Sequence, residues 1–553
     1  MLIKQPFLTG FFLFIILCNS FCNVAGDTVV EGPPISGWIP RETDIDRSEI
    51  PKNIMVVNSL EGWSHIRYTL TIGNVLADRD SVDIRYQKDI VYGDYDLTAA
   101  ADLIGRQARS FNETFLKLKK ISEELVKPDL FICSAVYNEA CFDVAWAMKK
   151  PSIGVATIFV GGVHSPYKSE PIFMPGCKVS MEHESFWQRF ICEMFIPFRF
   201  LWKLDPVFKK FNELRVSMGL PSQRTTFDYW KNSLFLVDNF FGVEIAHPLP
   251  PNCQASLFKV DIGPLFPDYF PPLTPDLEQF ITAHKRTMFV ALGTHIYLTP
   301  ENNMKLLQSL VETVENDIVD GVIWSLGKTN KDEFEPSITL SNGRTISTLD
   351  VLNNKYPNVH ITSYAPQFTI LNHTNVKVFL SHVGSGSIYE SLYTGTPILA
   401  LPISLDQPSN ADKLVLAGVA LRLNKYNLQV SEVLDKAERL QKNETIQLNV
   451  KRLKTLAMIN SKRKYRAADL VEFVLQVSAW SPTNEFNEGW LYKEWVPPKN
   501  RMGFIKGNYL DVYATAIGIV VGIFAVLIWG VIKIGKLIYG GLFKSRGDKT
   551  KND

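Results

Sequence analysis

Residues 364–422, YAPQFTILNHTNVKVFLSHVGSGSIYESLYTGTPILALPISLDQPSNADKLVLAGVALR, decide the fold of this chain. The middle of this stretch predicts two buried strands, Val376 to Ser381 and Ile398 to Leu401, with a short helix from Ser387 to Tyr393 between them. Each predicted strand runs into a polar loop. A strand, a helix and a second strand in this order are typical of one unit of a parallel α/β sheet.

The turn after the first of these strands has the composition of an anion site. His382, Gly384, Gly386 and Ser387 form a backbone with few side chains that leads into a helix N-terminus, where free N–H groups attract negative charge. Glu390 follows Ser387 by three residues, on the same helix face, where a carboxylate can accept hydrogen bonds from a ribose. The pattern therefore predicts a pyrophosphate site with a ribose beside it.

Other polar positions extend this site along the sheet edge. Asp406 and Gln407 follow the second strand, at the carboxyl edge where ligands of open parallel sheets bind. Tyr364 offers a flat ring, and Pro366 with Gln367 forms a fixed turn, which suits a planar base. A Gly-Ser-Gly turn alone is more often a plain loop, so the prediction depends on the order of all these positions.

That order resembles the donor-binding signature of the UDP-glycosyltransferases, the family that includes the UDP-glucuronosyltransferases. The matching segments are residues 364–367, residues 382–390, and Gly395-Thr396-Pro397 followed by Asp406-Gln407 and Asn410-Ala411. The resemblance implies the GT-B architecture, which is α/β with two facing Rossmann-like doubly wound domains. It also implies transfer of a glucosyl or glucuronosyl group from a UDP-sugar to a hydroxyl of a lipophilic small molecule or lipid, with inversion, and with neither a metal nor a separate cofactor.

The resemblance further implies a role for each matching residue. Tyr364 would stack on uracil, at a position where the family usually has Trp. The other implied contacts are phosphate contacts from His382, Gly386 and Ser387, with Gly384 in the same donor-binding turn, a ribose contact from Glu390, and sugar-hydroxyl contacts from Asp406 and Gln407. Pro366 and Gln367 would form a turn in the donor site, and Gly293 and Thr294 a small phosphate-side turn.

The catalytic base is expected in the first half of the chain. His65 opens a predicted helix after a buried strand, within a Ser-His pair similar to the one that carries the family's general base. The family's partner Asp corresponds here to Ser134, and Glu139 and Asp143 are the nearest acidic substitutes. This departure keeps open a second function, that of a poorly active partner protein that binds lipophiles or UDP-sugars.

Composition excludes some other classes. The 553 residues can form two to three domains, and a net charge of +1 does not indicate a nucleic-acid surface. A dinucleotide oxidoreductase is disfavoured because no Gly-x-Gly-x-x-Gly follows the first predicted strand, and Gly62 is the only glycine in the loop after it, residues 59–64. The triplet Asp78-Arg79-Asp80 ends a helix pattern far from any phosphate turn, so no metal is predicted.

Targeting signals indicate a membrane protein of the secretory pathway. Residues 1–26 have the layout of a signal peptide, and residues 512–532 are uncharged and long enough to span a bilayer. Lysines in the tail, residues 533–553, indicate a cytosolic end, and Lys549 with Lys551 resembles a dilysine signal of the endoplasmic reticulum. We therefore expect a single-pass type I protein of that membrane, with a lumenal body. Three sequons predict glycosylation, at Asn112, Asn372 and Asn443.

The predicted domain organisation follows from these segments. Residues 27–262 form the acceptor-binding domain, 263–286 a Pro-rich linker, 287–480 the UDP-sugar-binding domain and 481–511 a juxtamembrane segment. Association with a second copy or a related chain is left open.

Two features allow less definite predictions. Between Phe186 and Trp202, seven of seventeen residues are aromatic, which suits a lipophilic acceptor pocket, a bilayer contact or an ordinary core helix. Five cysteines follow the signal peptide, and this odd, sparse set predicts neither a disulfide framework nor a zinc site.

Overall fold

The computed structural model of the chain describes residues 54–57, 111–134, 138–156, 176–222, 233–244, 258–267, 270–293, 297–327, 329–479, 502, 504–507 and 509–547. Several predictions from sequence lie outside these residues, namely the signal peptide, His65, Thr294, and the dilysine pair in the tail.

The first sheet contains five parallel strands in the order β1-β2-β3-β4-β5. Both faces of this sheet are apolar and packed, as expected for a parallel sheet covered by helices. Its strands are β1 (Ile54–Val57), β2 (Leu130–Ser134), β3 (Ser152–Ala156), β4 (Leu234–Val237) and β5 (Phe258–Asp261).

The second sheet contains six parallel strands in the order β10-β7-β6-β11-β12-β13. Beside it lies a two-stranded antiparallel pair, β8 (Ser337–Thr339) and β9 (Thr345–Ser347). The six strands are β6 (Thr287–Ala291), β7 (Gly321–Ser325), β10 (Val359–Thr362), β11 (Val376–Ser381), β12 (Ile398–Ala400) and β13 (Ala420–Arg422).

The described residues contain a helix at 111–121 and fourteen further α-helices, most of which cover the faces of the two sheets. In chain order they are α1 (Glu139–Ala147), α2 (Phe186–Phe190), α3 (Ile196–Ser217), α4 (Pro275–Ala283), α5 (Pro300–Glu315), α6 (Thr348–Leu352), α7 (Gln367–Leu371), α8 (Ser385–Thr394), α9 (Gln407–Leu416), α10 (Val430–Lys442), α11 (Glu444–Asn460), α12 (Lys464–Ala479), α13 (Phe504–Gly507) and α14 (Leu510–Gly547). A π-helical turn, Ile191–Phe195, joins α2 to α3.

The central prediction from the sequence is confirmed. The strand β11 has the predicted bounds, and β12 ends one residue earlier than predicted, at Ala400. Helix α8 begins at Ser385, two residues before the predicted start, because Gly384 has an extended backbone and serves as its N-cap.

Helix α12 lies against the first sheet, although the sequence analysis counted its residues with the second domain. Ala467, Val471 and Val474 are buried in one cluster with Ile132 and Val155 of that sheet. The helix carries apolar residues at helical spacing, and the first sheet is the surface that buries this face. The chain therefore returns to the first sheet after completing the second.

The expectation of no disulfide framework was wrong. Cys133 is bonded to Cys141, with Cα atoms 5.8 Å apart, and Cys177 is bonded to Cys192, with Cα atoms 5.9 Å apart. The fifth cysteine, Cys253, lies outside the described residues. Sequence spacing missed these bonds because the folded backbone, and not the count of cysteines, brings each pair within bonding distance.

Two apolar segments of the chain are exposed in the structure. Helix α14 contains the predicted span. Its residues 510–539 are long and apolar enough to cross a membrane, and none of them is buried. The aromatic segment 186–202 is also exposed, with Trp202 75% accessible and Phe198 68% accessible. Its interpretation as an ordinary core helix is therefore wrong.

Candidate active site

The switch point of the second sheet lies between β6 and β11. From β6 the chain continues to β7 on one side, whereas β11 continues to β12 on the other. Ligands of open α/β sheets bind outside the carboxyl ends of the strands at such a point. Gly293 follows β6 and His382 follows β11, so both lie at this position.

The imidazole of His382 fits between two glycines. A Cβ atom on Gly293 would lie 2.9 Å from the Nε2 atom of His382, and one on Gly384 would lie 2.6 Å from the same atom. Desolvation at the packed end of β11 lowers the pKa of His382 to about 4, although a hydrogen bond with the backbone of Ala291 opposes the shift. The ring is therefore neutral at pH 7 and can act as a hydrogen-bond partner, not as a positive charge.

The next residue, Val383, has a left-handed backbone with φ of 59°. This conformation is unfavourable for a β-branched residue and persists only where neighbours enforce it. The N–H of Val383 donates to the Oγ of Ser381 at 3.0 Å, and the side-chain amide of Asn410 donates to the carbonyl of Val383 at 3.0 Å. The sequence analysis assigned no role to Ser381 or Asn410, although Asn410 belongs to the quoted motif.

The turn at Val383 places the N-terminus of α8 at the switch point of the second sheet. Gly384 is the N-cap of this ten-residue helix, and because glycine has no side chain it offers no acceptor to the N–H groups of the first turn. The first-turn N–H groups, which include those of Gly386 and Ser387, have no acceptor within the helix. Such groups bind phosphate oxygens, as the sequence predicted for these residues.

The side-chain amide of Gln367 connects α7 to α8. It donates to the Oγ of Ser387 at 3.1 Å and to the Oε2 of Glu390 at 2.8 Å. Glu390 is only 7% exposed, so its carboxylate is held in one orientation. The sequence analysis assigned Pro366 and Gln367 to a turn beside the base, and the structure gives Gln367 a positioning role as well.

Tyr364 lies beyond the end of β10 and is 68% exposed. The Oγ1 of Thr362 donates to the carbonyl of Tyr364 at 2.8 Å, which fixes the backbone beneath the ring. An exposed aromatic ring at a sheet edge is available for stacking on a base.

Asp406 and Gln407 begin α9, at the predicted edge of the sheet. The Oδ2 of Asp406 accepts from the amide of Asn410 at 2.7 Å. The Oε1 of buried Gln407 accepts from the backbone N–H groups of Ile403 at 2.9 Å and Ser404 at 3.1 Å. Because two N–H groups already use its oxygen, Gln407 would contact a sugar hydroxyl through its amide nitrogen.

The carboxylate of Asp143 has a structural partner in the first sheet region. Asp143 and Arg215 form an ion pair whose side chains are 2% and 1% exposed. The guanidinium of Arg215 also donates to the carbonyl of Pro221 at 3.2 Å. This pairing disfavours the prediction that Asp143 substitutes for the family's catalytic Asp.

Two other polar side chains lie at the carboxyl edge of the first sheet. The Oγ of Ser134 and the Oδ1 of Asn138 are buried and make no hydrogen bond in the structure as described. The side-chain amide of Asn138 donates to the carbonyl of Val57 at 2.8 Å, at the end of β1. His65 follows β1 in sequence, and the sequence analysis expects the catalytic base there. Asn138 lies at the end of β1, and the sequence analysis did not name it. Glu139 is half-buried at the start of α1.

Helices α8 and α9 also contact the residues that follow β4. The hydroxyl of Tyr389 donates to the carbonyl of Asp238, and the ammonium of Lys413 lies 3.0 Å from a carboxylate oxygen of Glu244. Both members of this ion pair are nearly buried, at 3% and 9% exposure. These polar contacts join the second sheet's helices to the first sheet region.

Comparison with known proteins agrees with this geometry. The model of the family described as UDP-glucoronosyl and UDP-glucosyl transferase matches residues 149–477, which include the whole switch-point site. A UDP-glycosyltransferase of Talaromyces amestolkiae is 32% identical over 422 residues, covering 74% of this chain and 76% of that protein. UDP-glycosyltransferase 1 of Phaeomoniella chlamydospora is 33% identical over 374 residues, covering 66% and 71%.

A solved structure, that of the kitacinnamycin glycotransferase, aligns with a TM-score of 0.51 at 17% identity, covering 76% of this chain and 99% of that one. This likeness concerns the fold, which is GT-B, with two parallel α/β sheet regions. The family model covers more than half of the chain. The chain therefore belongs to the UDP-glucoronosyl and UDP-glucosyl transferase family, whose members are enzymes that transfer a sugar from a UDP-sugar donor.

Proposed function

We propose that this enzyme transfers a glucosyl or glucuronosyl group from its UDP-sugar to a hydroxyl of a small lipophilic acceptor, with inversion at the anomeric carbon. The observation that carries the proposal is the hydrogen-bonded group of Gln367, Ser387 and Glu390 beside the N-terminus of α8. It combines a phosphate-binding helix terminus with an oriented carboxylate for a ribose.

In this proposal the donor lies along the carboxyl edge of the second sheet. Tyr364 stacks on uracil, Glu390 binds the ribose, and Asp406 with Gln407 binds the hexose. As the sugar–phosphate bond breaks, negative charge develops on the departing UDP. The N–H groups of α8 and the neutral imidazole of His382 stabilise that charge by hydrogen bonds, so we propose that no metal is required.

The acceptor enters from the first sheet region. His65, whose role rests on the resemblance, removes the proton of the acceptor hydroxyl as the new bond forms. We assign residues 27–262 to the acceptor domain, residues 263–286 to the linker and residues 287–480 to the donor domain, except that α12 packs on the first sheet and so belongs with the acceptor domain. The exposed positions of Asn112, Asn372 and Asn443 are compatible with glycosylation in a lumenal body anchored in the endoplasmic-reticulum membrane by α14.

A second candidate function is that of a poorly active partner protein. Ser134 favours it, because a hydroxyl in place of the family's Asp gives no negative charge to a protonated histidine. The pairing of Asp143 with Arg215 disfavours one substitute for that charge.

A donor-panel assay tests the proposal and separates the two functions. The purified full chain in detergent is incubated with UDP-glucose, UDP-glucuronate and other UDP-hexoses over phenols, sterols and lipids, and the glycosides are identified by mass spectrometry. Acceptor-dependent release of UDP with a glycoside of inverted configuration supports the transferase. Tight binding of UDP-sugar without any glycoside supports the binding protein.

A further inference from the structure

An exposed apolar helix face protrudes from the first sheet region. Nine large apolar side chains of residues 186–202 are each at least 41% exposed. Phe190, Met194, Phe198 and Trp202 recur every four residues, so they lie along one side of the helical segment formed by α2, the π turn and α3. We call these nine exposed side chains the apolar face.

The fold holds this face in place from the other side of the segment. The Oγ of Ser185 accepts from the N–H of Gln188 at 3.2 Å and caps α2. Cys192 is fully buried and bonded to Cys177, and Leu204 and Phe211 of α3 are buried. The exposure of the apolar face is therefore a property of the folded chain.

Basic side chains accompany the apolar face. Residues 186–210 contain five basic residues and two acidic ones, Glu193 and Asp205, which makes a net charge of 5 − 2 = +3. Helices with a broad apolar side, aromatic residues and flanking Lys and Arg lie in the interface between the headgroups and the acyl chains of a bilayer. The apolar tryptophan and phenylalanine rings suit that depth.

We propose that the apolar face lies in the surface of the same bilayer that α14 spans, so that the enzyme contacts its membrane at two places. This inference rests on the membrane span proposed for α14. The face provides a second attachment, through the first sheet region, and it holds the acceptor side of the enzyme next to acceptors dissolved in lipid.

Two other occupants fit the observations less well. A lipophilic acceptor binds in a concave pocket that surrounds most of its surface, whereas these side chains project from one side of a helix with exposures up to 75%. In a symmetric dimer the same patch would meet itself, which would bring two clusters of net charge +3 together. A lipid surface requires neither a concavity nor an opposing negative patch.

The test uses the full chain reconstituted into phosphatidylcholine vesicles that contain phosphatidylserine. A fluorescent non-natural amino acid replaces Phe198 on the apolar face, Lys442, an exposed side chain of α10 in the second sheet region, or Ile528 within α14. Lipids with a quencher attached close to the headgroup report contact with the bilayer surface, and lipids quenched deep in the acyl chain report the span.

We expect shallow quenching at position 198 to be several-fold stronger than at position 442, and deep quenching at position 528. Equal, weak quenching at 198 and 442 together with deep quenching at 528 would overturn the apolar-face proposal and leave the span intact. Loss of deep quenching at 528 would instead remove the span on which the proposal rests. The proposed enzymatic activity is measured separately in each preparation.

A second variant guards against misinterpretation of the label. Phe195→Ser, Phe198→Ser and Trp202→Ser are combined, with the label at Met194, because all three side chains are more than half exposed and their loss leaves the core unchanged. We expect shallow quenching at 194 to fall several-fold relative to the unsubstituted chain, while UDP binding is retained. Energy transfer between labels of two copies in detergent, together with absent lipid quenching, would show that the face binds a second copy and would contradict the proposal.

Discussion

The amide nitrogen of Gln367 lies 2.8 Å from a carboxylate oxygen of Glu390. These two residues belong to separate motif segments, 23 positions apart, and their contact joins the start of α7 to the middle of α8. Because Gln367 also donates to Ser387, one side chain orients both the proposed ribose ligand and a proposed phosphate ligand.

Replacing Glu390 by Ala is expected to weaken binding of UDP itself. The carboxylate would contact the ribose in the ground state and the transition state alike, so the donor KM rises while kcat changes less. Loss of a hydrogen bond to a charged group corresponds to roughly a tenfold rise in Kd, measured by calorimetry. Glu438→Ala, at an exposed ion pair on α10, is the control. Unchanged UDP binding in Glu390→Ala would remove Glu390 from the site.

The Gly293→Ala variant is expected to abolish UDP binding. Its Cβ would lie 2.9 Å from the His382 ring, and its φ of 82° is strained for alanine, at a cost of roughly 1–2 kcal/mol. Gly343→Ala is a matched control, since Gly343 has φ of 84° and its added Cβ meets no atom within 4 Å. Equal UDP affinity in the two variants, measured by calorimetry, would show that the position of His382 does not matter.

Stability is expected to fall as the pH is lowered from 6.5 towards 4. The pKa of His382 is about 4 in the folded chain and 6.5 in the unfolded chain, so the unfolded state binds the proton first. The contribution, on the order of 3 kcal/mol, is complete above pH 6.5 and is lost as the pH falls through that window. We expect the free energy of unfolding, measured by denaturant titration at each pH, to fall more steeply with decreasing pH for the wild type than for His382→Gln between pH 6.5 and 4. The same pH dependence of the unfolding free energy in both proteins would contradict a lowered pKa of His382 in the folded chain.

Replacing Gln407 by Glu tests its proposed contact with the sugar. The variant keeps a side-chain oxygen for the N–H groups of Ile403 and Ser404, and it replaces the amide nitrogen by a second oxygen. We expect UDP binding within about twofold of the wild type and a loss of kcat of roughly tenfold or more. Gln407→Ala is expected to be less stable as well, because both buried N–H groups lose their acceptor. A large loss of UDP affinity in Gln407→Glu would show that this residue contacts the nucleotide.

The base assignment predicts different effects for two carboxylate positions. His65→Ala should abolish transfer while UDP binding survives, and Ser134→Asp should raise turnover of aliphatic alcohols more than that of phenols, whose protons leave more easily. Asp143→Asn should lower stability by about 3–5 kcal/mol, since it leaves buried Arg215 without its counter-charge, and the folded fraction should keep its kcat. Full activity in His65→Ala would contradict the base assignment. Selective loss of kcat in a stable Asp143→Asn would restore Asp143 as the catalytic carboxylate.

The sequence by itself determined the second sheet and which polar residues lie at its carboxyl edge. Strands such as β11 are short apolar runs bounded by turn residues, and the order of Tyr364, His382, Glu390 and Asp406 along the chain reflects the order of strand ends at one edge. In a parallel sheet every strand end reaches the same edge, so local patterns are sufficient to predict which residues lie together.

Only the tertiary structure decided what depends on contacts between distant segments. The pairing of Asp143 with Arg215, the bond between Cys177 and Cys192, and the hydrogen bond from Asn410 to Val383 each join residues whose neighbours in sequence give no sign of the partner. The apolar face was equally ambiguous, because helical spacing of apolar residues does not say whether protein or lipid covers them. Periodicity is a property of the chain, whereas burial depends on where the rest of the chain lies.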